Sequence, residues 1–247
     1  MDITQAIILG IIQGVTEFLP ISSSGHLVIV QNLMPNFSQP GILFDVTVHV
    51  GTLFAVIYFF RQRILSISKR DIFLLGLGTA PSILAGFFLQ EFLENSFKAS
   101  NFSIGMQFIL TALMCFWVDH AKHDDKKVTA TNSVLIGIAQ AVSILPAISR
   151  SGATIFASRI LGIEKSKAAE FSFLLSIPAI LGASVLQLKS HVGSVPKSDI
   201  FAYFVGFFVA MVVGYFSISF TIKTLLSSKF KWFGFYTLIL GMMLIFI

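Results

Sequence analysis

Six stretches of the chain, at roughly 43–60, 72–90, 103–119, 168–188, 200–222 and 232–247, stay apolar for about the 20 residues that a helix needs to cross a hydrocarbon core. Each predicts a transmembrane helix. Two further apolar regions break the rule. Residues 3–33 are interrupted by Pro20, Ser22, Ser23, Ser24 and Gly25, and residues 132–162 by Pro146, Ser149, Arg150, Ser151 and Gly152. Each half of these regions is too short to span, and the six-span count stays consistent only if each enters and leaves on one side. The pattern predicts two re-entrant helix pairs, because non-helical backbone at membrane depth needs protein or a wet cavity around it.

The two interrupted regions are copies. Shifted by 127 residues, "GIIQGVTEFLPISSSG" (10–25) lies over "GIAQAVSILPAISRSG" (137–152) with eight of sixteen positions identical, among them Gly10/Gly137, Gln13/Gln140, Ser22/Ser149, Ser24/Ser151 and Gly25/Gly152. The same shift sets Phe44 over Phe171, and a shift of 128 sets Gly78 over Gly206 and Gly86 over Gly214. A re-entrant pair followed by spans is therefore used twice, over about 1–119 and 130–247. An odd number of spans per copy inverts the second relative to the first. The expected fold is an all-α integral membrane domain of six transmembrane helices plus two re-entrant pairs, built from two inverted-topology repeats. In such architectures the broken helices meet near the midplane and present N-terminal N–H groups to anions.

Composition agrees: 55% of residues are hydrophobic, 12% are charged, and the mean hydropathy is +0.86. No basic region precedes the first apolar stretch, which reads as a retained element and not as a removable signal peptide. Cys115, the single cysteine, excludes an intrachain disulfide or a cysteine metal cluster. The basic pI of about 9.4 suggests nucleic acid until the cations are placed. Thirteen of the seventeen lysines and arginines fall on one face of the alternating spans, against Lys98, Lys189 and Lys197 on the other. That bias puts the basic loops in the cytoplasm and both termini outside.

The copies differ where chemistry would ask them to. Glu17, Ser23 and His26 of the first copy stand opposite Ile144, Arg150 and Ala153 of the second. One break supplies a carboxylate, hydroxyls and an imidazole; the other supplies a guanidinium. Arginine at membrane depth is costly and faces a partner or a cavity, and its planar fork suits phosphate or carboxylate. With Ser149 and Ser151 it forms an anion cradle; a structural ion pair from Arg150 to Glu17 or Glu170 is the alternative. Gln13 lies one turn before Glu17, so the two could share a divalent cation through oxygen, or Glu17 could act as a base and His26 as a proton carrier. Asp45 and His49 are either supporting groups or wet interfacial residues, and Glu170 reads as structural at a helix start. The "DHAKHDDKK" run at 119–127 reads as a solvated loop.

"QGVTEFLPISSSGH" and "SRSGAT", together with the repeat, closely resemble the bacitracin-resistance family of undecaprenyl-diphosphatases over essentially the whole chain. The resemblance implies a bacterial plasma-membrane enzyme with an outward-facing site. It would release phosphate from undecaprenyl diphosphate to recycle the lipid carrier for cell-wall synthesis, supported by a divalent metal cation (Mg2+ or Ca2+). By motif, Glu17, His26, Ser22, Ser23 and Arg150 are expected to be catalytic. Ser24, Ser149, Arg150, Ser151 and Thr154 are expected to bind substrate, and Gln13 and Glu17 to bind metal. Many relatives carry glutamate at the position of Gln13, which limits this residue to its amide oxygen, and the Pro-Gly usual before the second motif is Pro146-Ala147 here. A serine (Ser22 or Ser23) or an activated water could attack. The lipid bilayer is the implied surrounding, and a second copy of the chain is a candidate partner.

Two other readings compete. A polyprenyl-phosphate transporter or flippase would use the same inverted repeat and anion site. The second class of membrane lipid phosphatases shares "SGH" and a later "SR" but needs upstream Lys and Arg, which are missing before Ser24, and a downstream His–Asp pair, where only His191 occurs. A GKS- or GKT-type nucleotide loop is missing as well.

Overall fold

The computed structural model describes residues 1–35, 37, 42–89, 100–121, 126–191 and 197–246. Lys98, Lys122, the centre of the 119–127 run and the side chains of Lys189, His191 and Lys197 lie outside that description. The described chain is all-α: α1 (Ile3–Phe18), α2 (Ser23–Leu33), α3 (Leu43–Phe59), the short α4 (Arg61–Leu65), α5 (Lys69–Phe88), α6 (Asn101–Val118), α7 (Ala130–Val142), α8 (Arg150–Ile160), α9 (Lys165–His191), α10 (Ile200–Leu226) and α11 (Lys231–Phe246). Among the described residues, four helices are long and apolar enough to cross a membrane, at Lys69–Phe88, Asn101–Val118, Lys165–Gln187 and Ile200–Leu226. The other two expected spans coincide with α3 and α11, of 17 and 16 residues. The protein is thus a multi-pass, all-helical membrane protein.

Both interrupted regions form two helices with a break between them. At 1.5 Å per residue, the 11-residue α2 and α8 are each only about 17 Å long, far short of the hydrocarbon thickness of about 30 Å. Asp2 caps α1 in a reciprocal box with Gln5, and Ser68 caps α5 in the same way with Asp71. Helix α1 stops at Phe18 because Leu19 precedes Pro20, whose ring disfavours helical backbone in the residue before it; Leu19 is extended, with ψ 142°.

Packing crosses between the two halves of the chain. Helix α1 lies along α10, and α7 lies along α5. Backbones touch at both crossings. A Cβ on Gly10 would stand 2.8 Å from the carbonyl oxygen of Gly206, and one on Gly137 would collide with that of Gly78. In the 127- and 128-residue alignments Gly10 matches Gly137 and Gly206 matches Gly78, so the two crossings are made by equivalent pairs. Helices α6 and α11 meet at Gly105 and Gly241.

Polar clasps close the helix ends. At the basic end, Arg63 Nε donates to Glu170 at 2.6 Å and its NH2 to Asp71 at 3.0 Å. The Glu170 hydrogen bond, reinforced by Asp71, holds the Arg63 guanidinium above its ordinary pKa. Nearby, buried Arg159 donates to the carbonyls of Ile163 and Ala121, and Lys165 donates to Ser228. At the other end the N-terminal ammonium lies 3.1 Å from Asp199.

The glycine crossings predict opposite outcomes for two similar substitutions. Gly137→Ala forces α7 away from α5 and should cost about 1–3 kcal/mol, the usual penalty of overpacking. Gly182→Ala, in α9 with open space around it, should leave stability unchanged or slightly raised, since alanine is the better helix former. Thermal unfolding of both variants in detergent reads the difference.

Candidate functional site

The two breaks interlock through hydrogen bonds that neither could make alone. Ser22 and Ser24 Oγ donate to the carbonyl of Pro146 at 2.7 and 2.6 Å. In return Ser151 Oγ donates to the carbonyl of Leu19 at 3.3 Å. Ser24 and Ser151, and likewise Leu19 and Pro146, are equivalent positions in the 127-residue alignment, so the Ser24 and Ser151 bonds are counterparts. Unpaired carbonyls at membrane depth would be expensive; here each break satisfies the other's.

Ser22 has φ 68° and ψ 105°, the left-handed side that a non-glycine residue adopts at a cost of about 1–3 kcal/mol. Its hydroxyl goes to Pro146, so no side chain caps α2. The first N–H groups of α2 are therefore left without a side-chain cap. In the second break Ser149 does cap its helix, accepting from Gly152 N at 3.1 Å.

Glu17 is the meeting point. It is buried at the end of α1, and Arg150 from α8 donates NH2 to its Oε1. Its Oε2 accepts from Ser23 Oγ at 2.6 Å and from Gln13 Nε2 at 3.0 Å. His49 Nε2 lies 3.6 Å from the same oxygen. Because His49 Nδ1 is 2.7 Å from the Asp45 carbonyl, which can only accept, Nδ1 carries a proton. The His49–Glu17 contact is an ion pair only when both ring nitrogens are protonated. Asp45 accepts from Gln31 Nε2 at 2.6 Å.

Among the described residues, two polar atoms at this meeting point have no hydrogen-bond partner: Arg150 NH1, a donor, and Gln13 Oε1, an acceptor. Buried polar atoms are ordinarily paired. A free donor and a free acceptor flanking one carboxylate suit a ligand that brings anionic oxygens to the arginine and a positive centre to the amide. Among the described residues no three His, Cys, Asp or Glu side chains converge as a metal cage. The oxygens on offer to a cation are Gln13 Oε1 and those of Glu17.

Not every expected residue joins this group. His26 points elsewhere: Nδ1 is 2.6 Å from the Ser22 carbonyl and Nε2 is 2.7 Å from Tyr236 Oη. Ser149 and Ser151 hydroxyls lie 3.2 Å apart and serve the second break. Thr154 is fully buried, its hydroxyl engaged by the Arg150 carbonyl at 2.8 Å and by Ser172 at 2.6 Å. Of the two acids set against Arg150 by the sequence, Glu17 meets it, while Glu170 is taken by Arg63.

Other contributors emerge only in three dimensions. From α6, Thr111 Oγ1 donates to the Ala147 carbonyl at 3.1 Å and accepts from Ser149 N at 3.2 Å, and Gln107 accepts from Ala147 N at 3.0 Å. Gln107 and Thr111 lie one turn apart on an apolar helix, a polar stripe that the sequence displays. Tyr236 carries no such signal.

Comparison with known proteins gives this geometry a context. The family model described as "Bacitracin resistance protein BacA" matches residues 6–243. The undecaprenyl-diphosphatase of Carboxydothermus hydrogenoformans is 43% identical, with 98% of this chain and 95% of that protein covered. Those of Treponema denticola and Christiangramia forsetii are 39% and 36% identical, each over 98% of this chain and 96% and 97% of their own length. A match of this extent, carrying both interrupted motifs, leaves one conclusion: the chain belongs to the BacA family of bacitracin resistance proteins.

Proposed function

We infer that the chain hydrolyses undecaprenyl diphosphate to undecaprenyl phosphate and inorganic phosphate, recycling the lipid carrier for cell-wall synthesis at the outer face of the plasma membrane and so conferring bacitracin resistance. The observation that carries this reading is the group that Arg150 and Ser23 form around buried Glu17, with its open arginine arm; the names of the relatives support the substrate.

The residues divide the work as follows. Arg150 NH1 and the uncapped N–H groups that open α2 take the oxygens of the terminal phosphoryl group, countering charge that grows as phosphorus is attacked. Ser23 is the attacking hydroxyl, since Ser23 alone of the three serines bonds to Glu17 while Ser22 and Ser24 donate to Pro146. Its Oγ forms a bond to the terminal phosphorus as the proton passes to Glu17 Oε2. The bond to the bridging oxygen breaks and undecaprenyl phosphate departs with both bonding electrons. Water then attacks the phosphoserine phosphorus with its proton moving to His26. The bond from phosphorus to Ser23 Oγ breaks, and Oγ takes back the proton that Glu17 received, which releases inorganic phosphate and restores both Ser23 and Glu17. A divalent cation, Mg2+ or Ca2+, neutralises diphosphate charge when bound. Gln13 Oε1 and a carboxylate oxygen of Glu17 would hold it. The polyprenyl tail leaves sideways between apolar helices into lipid.

The architecture behind the site is read as two inverted repeats with re-entrant pairs 3–33 and 132–162. The equivalent glycine crossings and the equivalent Ser24–Pro146 and Ser151–Leu19 bonds support this. The same symmetry favours a second reading, movement of the lipid phosphate across the bilayer, which would release no phosphate. With the basic loops cytoplasmic, a cysteine at position 229 in a Cys115→Ala background should react with an impermeant maleimide in inside-out vesicles and not in intact cells.

Phosphate release from undecaprenyl diphosphate by the purified protein in detergent tests the enzyme. Glu17→Gln should lower kcat/KM by about 10²–10⁴-fold, the usual loss for a general base. Arg150→Lys keeps the charge but loses the fork and should lower kcat by about 10²-fold. Chelation should stop turnover, and added Mg2+ or Ca2+ should restore it. Well-folded wild type that releases no phosphate with any cation would shift the function to transport.

A further inference from the structure

The surroundings of His26 contain a group that the reaction above does not use. His26 Nδ1 faces the Ser22 carbonyl at 2.6 Å, and a carbonyl only accepts, so Nδ1 carries the ring proton. In the neutral imidazole Nε2 then holds a lone pair, and its partner at 2.7 Å is the Tyr236 hydroxyl. The phenol donates to Nε2. Two rings also fix the imidazole plane: Tyr236 lies nearly parallel to it, at 15° with centroids 5.6 Å apart, and Phe108 meets it edge-on at 5.7 Å and 89°. Phe108 is fully buried on α6 and rests on Gly25, where a Cβ would stand 2.7 Å from its ring. Tyr236 sits on α11, which crosses α6 at Gly105 and Gly241. The α6–α11 pair thus grips a histidine that belongs to α2.

We propose that Tyr236 is a positioning residue for His26: its hydroxyl holds the imidazole as the Nδ1–H tautomer and makes Nε2 the nitrogen that exchanges the proton. A phenolic oxygen both donates and accepts. It gives its hydrogen to the neutral ring and accepts the Nε2 hydrogen of the imidazolium formed when water loses a proton to His26. One side chain therefore serves both states without moving its ring. Phenylalanine at this position keeps the ring contact and loses only the switchable bond. This inference rests on the proton-carrying role given to His26 above.

A double-mutant cycle separates the possibilities. Tyr236→Phe, His26→Ala and the double variant are purified in detergent, and phosphate release from undecaprenyl diphosphate is followed together with thermal unfolding. Tyr236→Phe should melt near wild type and lose about ten-fold in kcat, the worth of one hydrogen bond, with KM little changed. The double variant should be no slower than His26→Ala, because the tyrosine acts through the imidazole. Wild-type kcat in Tyr236→Phe beside a crippled His26→Ala would overturn the positioning role and leave the histidine's intact. A loss that adds to that of His26→Ala would assign Tyr236 an independent task and overturn the proposal equally. A fully active His26→Ala would remove the histidine itself from the reaction, and this inference with it.

Discussion

The contact between Arg150 and Glu17 joins residues 133 apart in sequence, one at each helix break, and the polar groups of both breaks are arranged around it. An ion pair taken out of water gives little net stability, yet losing one partner is costly, about 3–5 kcal/mol, because the other is left charged and unsolvated. The pair therefore acts less as glue than as a demand: the first break must reach membrane depth at the same place as the second. The serine bonds to Leu19 and Pro146 meet that demand with neutral groups, independently of the ion pair.

The same contact explains how the site can be both stable and reactive. Glu17 accepts from Arg150, Ser23 and Gln13, with His49 close by, a crowd of donors that keeps a carboxylate tolerable in the interior. Two polar atoms of these partners, Arg150 NH1 and Gln13 Oε1, still lack a counterpart. In the proposed reaction an anion arriving with a cation would complete the hydrogen bonding of both atoms at once. Binding and protein stability draw on the same unsatisfied groups.

Much of this was legible in the sequence. The interrupted apolar regions and their 127-residue spacing put Glu17 and Arg150 in comparable breaks, and an arginine in a greasy stretch asks for a partner. The choice between Glu17 and Glu170 was not legible, because it depends on Arg63, whose reach follows from the short helix α4 that carries it. Nor could the spacing assign different tasks to three consecutive serines. Ser22 takes a left-handed conformation that no local preference of serine announces, and that one residue decides which hydroxyl faces Glu17 and which face Pro146. Thr154 lies in the right motif, but one turn along α8 carries its hydroxyl into the protein, to Ser172. Tyr236 was beyond reach because its partner lies 210 residues away and α11 reads, residue by residue, as plain lipid-facing helix.

The close crossings of α1 with α10 and of α7 with α5 also bear on how the molecule comes into being. Each interrupted helix pair finds a packing surface on the other half of the chain, so the two halves depend on each other. During synthesis the first pair is made almost 200 residues before the helix it packs against. Its polar turn must wait at the bilayer edge, or be held by the insertion machinery, until α10 arrives. Assembly is then a late, concerted docking of two half-sites, and the carboxylate and the guanidinium are buried at the same moment and not one after the other.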